Sequence, residues 1–330
     1  MITLLLAQLG CIHTPTQTVS PVTMPWIATE EQEHPLVGQW WSTTEKRFLT
    51  EAEVQQLVRQ SHYVLLGEQH DNPDHHSHQA KVAYWATKAR PSSVIAFEML
   101  NDPQKVKLAD FSNTSRLAIS LDWANSGWPS FEYYAPIFDV ALAHQSTILA
   151  ANPSKEDIMG TMTNGMTHPA LTTIDVTRPF PENLQSELNQ EIIDSHCGYA
   201  NPEMTEMMST VQRFKDAWMA HQLLEHGSEN APAVLIAGSG HTRKDRGVPW
   251  YFNETEKKNS LVIAFREVTA EVNQAGAYGP SEADILYFTP QVAREDPCIA
   301  FQESLEAMHH PQSAPKNKDP EPEITPSGED

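Results

Sequence analysis

Five apolar runs constrain the fold of this chain more than any other feature of its sequence. They are HYVLLG at residues 62–67, SVIAFEM at 93–99, TILAAN at 147–152, AVLIAGSGH at 233–241 and SLVIAFREV at 260–268. None alternates apolar with polar residues, so each reads as a strand covered on both faces. Helical stretches lie between them. Thr50 and Glu53 make a Thr-x-x-Glu capping box for a helix reaching about Gln60, and Asp74 is placed to cap a second helix running through WATKAR. YYAPIFDVALAHQ reads as a third helix, and a long helical region spans about 181–226. Strands buried on both sides and separated by helices give an α/β fold: a mostly parallel sheet flanked by helices on both faces, in one domain.

The two ends contribute little to that domain. MITLLLAQLGC is too short to span a bilayer, but a small residue, Gly10, stands before Cys11, as in a bacterial lipoprotein signal whose cysteine is acylated. No Lys or Arg precedes the apolar stretch, and Gln8 interrupts it. The expected organisation is a signal remnant over 1–11 ending at the lipidated Cys11, and a flexible Thr/Pro/Gln-rich tether over 12–35. The α/β domain follows over 36–308, then a disordered acidic tail over 309–330. Such a protein belongs to the cell envelope, touching the membrane only through its anchor, and Cys197 and Cys298 would there be free to pair. A formal net charge of −21 argues against nucleic acid as a partner.

In open α/β sheets the ligand crevice lies beyond the carboxyl ends of the strands. Polar residues follow four of the runs there: Glu68 and His70, Glu98, Asn152, and His241. Gly67-Glu68-Gln69-His70 and Gly238-Ser239-Gly240-His241 are two copies of Gly-x-x-His, in which glycine would let the backbone turn out of the sheet. Two neutral imidazoles, His70 and His241, with Glu68 and Glu98 could hold a divalent first-row metal through His70, His241 and Glu98, or act as a general acid and base. His75, His76 and His78 fall in the first turn of a helix, where histidines are expected to be solvated. No His-Glu-x-x-His, Walker A, complete dinucleotide fingerprint or Gly-x-Ser-x-Gly elbow is present.

LDWANSGWPSFEYYAPIF is dense in aromatic residues. Core packing accounts for most of them, but an aromatic wall bearing a phenol also suits a flat macrocycle, since tyrosinate is one of the protein ligands of haem iron. Tyr134 is the candidate phenol. Arg213 and Arg243 are candidates to clamp a carboxylate such as a haem propionate.

Six blocks in order, LLGEQHDNPDHH, VIAFEM, DWANSGWPSFEYYAPIF, DSHCGYANPEM, QRFKDAWMA and LIAGSGHTRKDRGVPWY, resemble the ChaN-like family of haem-binding uptake lipoproteins over roughly residues 36–270. That family lies within a wider group that includes erythromycin esterase, TraB and Tiki proteins. The resemblance implies an α/β protein concerned with haem or iron acquisition, with haem held between two subunits of a homodimer and an outer-membrane haem or iron transport system as partner. It matches the wider group's functional positions to His70, His241 and Glu98, which with Glu68, Tyr134, Arg213 and Arg243 from the residue patterns make up the expected ligand rim. The wider group implies the alternative of a metal-dependent hydrolase that would use His70, His241 and Glu98.

Overall fold

The computed structural model describes residues 25–300, apart from 89, 91, 102–113, 280 and 281. Cys11, the signal remnant and the acidic tail lie outside the described residues. Eight strands form one sheet: β1 (Trp40–Ser42), β2 (Arg47–Leu49), β3 (Tyr63–Glu68), β4 (Val94–Asn101), β5 (Thr147–Asn152), β6 (Ala233–Gly238), β7 (Ser260–Glu267) and β8 (Ile285–Thr289), in the order β2-β1-β8-β7-β3-β6-β4-β5. The five apolar runs are β3 to β7. Together with β8 they are mutually parallel, while β1 and β2 add an antiparallel edge.

Among the described residues the six longer helices are α1 (Glu51–Gln60), α2 (Pro73–Thr87), α3 (Phe131–Ala143), α4 (Lys155–Asn164), α5 (Glu182–Ser195) and α6 (Pro202–His226). Successive strand residues point to opposite faces, and both faces are dry. Val64, Leu66, Ile95, Phe97, Val234 and Ile236 pack with Val54 and Val58 of α1, Ala83 of α2, and Ile137 and Phe138 of α3. Leu65, Ala96, Leu149, Leu235 and Val262 pack on the other side with Phe214, Ala217, Trp218 and Leu223 of α6. Double burial of this kind requires unbroken apolar runs.

Local chemistry sets the helix boundaries. The Thr50 and Glu53 capping box opens α1 as expected. Asp74 is not a cap: Asn72 caps α2 with Pro73 at the first helical position, and the buried Asp74 carboxylate accepts the backbone N–H groups of Ile27 and Ala28. Trp26 stacks on His78 with ring centroids 5.2 Å apart. Residues 26–28, assigned to the tether from sequence, are thus tied to the domain. The long helical region is two helices, because the backbone is left-handed at Cys197 and Gly198 and restarts at the Asn201 cap. In that break Cys197 is bonded to Cys298, closing a loop of 101 residues.

Chain order matters for the site. From β3 the chain crosses to β4, leaving a place that β6 fills only later. The register sets Glu68 opposite Gly238, and Phe97, the residue before Glu98, opposite Ile236. Three remote segments therefore end at one level of the sheet.

Candidate functional site

At that level, acidic and imidazole side chains alternate in one line: His76, Glu68, His70, Glu98, His241 and Asp216. Glu68 ends β3 and is buried; its Oε1 accepts from His70 Nδ1 at 2.8 Å and from the Tyr134 hydroxyl at 3.0 Å. Glu68 Oε2 stands 3.0 Å from His76 Nδ1, an ion-pair contact off the line of a hydrogen bond, since the His76 ring donates instead to Gln79 Oε1 at 3.1 Å. Glu98 Oε2 accepts the Gly238 backbone N–H at 2.8 Å and lies 3.9 Å from His70 Nε2. Its Oε1 is 3.1 Å from His241 Nε2, and the other nitrogen of that ring is 2.6 Å from Asp216 Oδ1 on α6.

Both Gly-x-x-His glycines are required, but not to turn the chain. A Cβ on Gly238 would sit 2.9 Å from His70 Nε2, and one on Gly67 would sit 2.2 Å from Thr242 Oγ1. Each glycine gives up a side chain so that another group can close over the strand end.

Electrostatics bear on the expectation of neutral imidazoles, most directly at His241. Burial alone would discharge His241, but Glu98 and Asp216 on either side outweigh it and push its pKa up to about 10. Burial likewise opposes charge on His70 and His76, and bonding to Glu68 raises both. Among the acids, burial favours the neutral form of Glu98, yet His241 and His70 hold its pKa down to about 2. Glu68 is held well below the usual carboxylate range by His76 and His70 against the same burial effect. Asp216 moves the other way, to about 6, because burial outweighs its single imidazole neighbour. Each imidazole of the line is thus drawn toward its charged form by a carboxylate beside it, against the effect of burial. Only His70 reaches the surface appreciably: 34% of its side chain is exposed, and its ring lies 4.9 Å from that of the half-buried Trp128.

Glu68, His70, Glu98 and His241 are brought together as the strand-end argument required. Asn152 stands at the same end of the sheet on the outermost strand, without a described bond into the line. Tyr134 is displaced from its expected role. It is fully buried, and burial followed by the nearby Glu68 charge pushes its phenol far above the ordinary range, so it supports Glu68 from below. Arg243 is neutralised by Asp245, Glu191 and Glu282, and Arg213 turns away to donate to the Arg178 carbonyl. Neither arginine is presented at the rim. His75 and His76 are buried rather than solvated, His75 bonding the Gln69 N–H and Thr289 Oγ1.

The geometry gives no support to the divalent metal expected at His70, His241 and Glu98. His241 is held between Glu98 and Asp216, and among the described residues no group of three or more His, Cys, Asp or Glu side chains is placed to hold a metal ion. The residues missed at the rim are His76, Asp216 and Gln212, whose amide nitrogen lies 3.1 Å from His241 Nδ1. The available signal was an amide and an acid four apart, Gln212 and Asp216, and so on one face of the helical stretch QRFKDAWMA.

The family model described as haem-binding uptake, Tiki superfamily, ChaN matches residues 54–252. No curated protein is significantly similar in sequence. The fold is similar to a solved structure of cofacial haem binding to ChaN of Campylobacter jejuni, at 22% identity and a TM-score of 0.60, covering 75% of this chain and 95% of that one. Likenesses to the type III effector HopBA1 (14% identity, 72% of this chain and 93% of that one, TM-score 0.38) and to a mutant of the erythromycin esterase EreC (12% identity, 81% and 87%, TM-score 0.38) are too slight to carry an argument.

Proposed function

Because this chain belongs to the ChaN family of haem-binding uptake proteins, we propose that it is a haem-binding lipoprotein of the cell envelope acting in haem and iron uptake. The observation that carries this reading is the state of His70. Its Nδ1 is bonded to buried Glu68 at 2.8 Å, its Nε2 has Glu98 only at 3.9 Å, and the ring is partly exposed beside Trp128. A carboxylate on one imidazole nitrogen fixes the ring and raises the basicity of the other, which prepares it for a metal centre. Haem would supply the iron and a flat apolar macrocycle; His70 would hold the former, and Trp128 would cover part of the latter. The rest of the line keeps His70 in place: Glu68 is itself oriented by Tyr134 and His76, and Glu98 by Gly238 and His241.

The solved Campylobacter protein binds haem cofacially, which supports a pair of chains here facing one another across their rims. The bond between Cys197 and Cys298 supports an oxidising compartment, and acylation at Cys11 would leave a tether to the membrane. Among the described residues no helix is long and apolar enough to cross a membrane. An outer-membrane haem transport system is the corresponding partner.

Haemin titration of the purified chain tests the proposal. A Soret shift saturating at about one haem per chain is expected, lost in His70→Ala and kept in Tyr134→Phe. A shift that never saturates, or one that His70→Ala leaves unchanged, refutes it.

A further inference from the structure

A second candidate site lies away from the His70 rim, between α5 and α6. A cavity of about 570 Å³ is lined there by residues that include Gln185, Asn189, Ser209, Thr210 and Arg213. Its volume falls in the range of small-molecule sites. On α6, Gln212 and Asp216 face His241, whereas Arg213 is about a quarter turn further round the helix and looks into this cavity.

The charge around Arg213 is unusual for a chain carrying −21. The Arg213 guanidinium lies 4.5 Å over the Phe180 ring, and that of Arg178 lies 4.2 Å over Trp250, with Phe180 and Trp250 edge to face at 5.1 Å. Arg213 Nη2 donates to the Arg178 carbonyl at 2.8 Å. Neither arginine has a carboxylate within ion-pair distance among the described residues, although most other arginines here do. Arg178 Nε, Arg213 Nε and Trp250 Nε1 are all buried and lack a hydrogen-bond partner among the described residues. Stacking on aromatic rings accounts for the position of the guanidiniums but leaves these donors unanswered. Of the three, Arg213 lines the cavity, and a guanidinium with no carboxylate partner on the wall of a cavity of ligand size is the complement of an oxyanion.

We propose that this cavity binds a small organic monocarboxylate, with the carboxylate held by Arg213 and the body of the molecule lying among Ile193, Ala200 and Thr210. Monoanion follows from the wall: Glu206 also lines the cavity and disfavours a phosphate dianion or a dicarboxylate. A single guanidinium fork suits a planar carboxylate.

The test is calorimetric titration of the full chain with benzoate, hexanoate and inorganic phosphate. Saturable binding of at least one monocarboxylate is expected, weakened about tenfold or more by Arg213→Gln. Binding should also be lost in Thr210→Phe, which fills the cavity but leaves Arg213 intact, and should be unchanged in His70→Ala, which separates this site from the haem reading. No binding by either monocarboxylate, phosphate binding as tightly, or retained binding in Thr210→Phe overturns the proposal. So does unchanged affinity in an Arg213→Gln protein that still melts cooperatively.

Discussion

Replacing His241 with glutamine removes the cation held between two buried carboxylates, and its effect should show as a change in the pH dependence of stability. The imidazole has its pKa raised from 6.5 to about 10, so the folded chain keeps a proton that the unfolded chain loses above pH 6.5. Stabilisation from this group is complete below pH 6.5 and is lost as the pH rises to about 10. A shift of that size corresponds to roughly 5 kcal/mol in total, spent at about 1.4 kcal/mol per pH unit. Asp216, raised from 3.8 to about 6, costs stability over a lower pH range and leaves the alkaline slope unaffected. His70 and His76 are raised too and add slopes of their own, so the informative quantity is the difference between wild type and His241→Gln. Urea unfolding from pH 6 to 10 should give a wild-type slope steeper by about one proton per molecule. The variant itself should be about 3–5 kcal/mol less stable near neutrality, since it leaves Glu98 and Asp216 without their shared cation. Should the variant be too unstable to measure, NMR titration of the wild-type imidazole gives the same answer. Parallel slopes, or a His241 ring that loses its proton near pH 6.5, would refute the reasoning.

Gly238→Ala should push the His70 ring out of place, because the new Cβ would meet Nε2 at 2.9 Å. The expected outcome is a loss of about 1–3 kcal/mol in urea unfolding together with a weakened haem Soret titration, and an unaltered titration would show that His70 is not the ligand. Cys197→Ser opens a loop of 101 residues, so chain entropy predicts a loss of up to about 4–5 kcal/mol, read as a lower melting temperature that a reducing agent reproduces in the wild type.

Five of the six parallel strands were legible because double burial writes itself as unbroken apolar runs, whereas β8, ILYFT, is a short run that was not singled out. The antiparallel edge was not: β1 and β2 have three residues each, WWS and RFL, too short for any period to be read. The Asn72 cap was available from the Asn-Pro pair that opens α2 and lost out to Asp74, which is recruited by backbone 46 and 47 residues away. Convergence of Glu68, His70, Glu98 and His241 followed from strand ends alone, since a parallel sheet has only one carboxyl edge. Their charge states did not follow. Whether an imidazole carries a proton depends on carboxylates delivered by other segments, as Asp216 is to His241 and Glu68 is to His76. Burial is equally remote: first-turn histidines look solvated until β8 and the aromatic wall of α3 are laid against them.

The late arrival of β6 between β3 and β4 bears on how this protein is made. When the ribosome has released Glu68 and Glu98, the strand that separates them and the ring that bridges Glu98 to α6 have yet to be synthesised. A nascent chain at that stage has two acids destined for the interior and an open slot in its sheet, so it has every reason to remain unsettled. The same side chains that would grip a ligand therefore also mark completion of assembly, and a fragment ending before His241 should neither bind nor hold its shape.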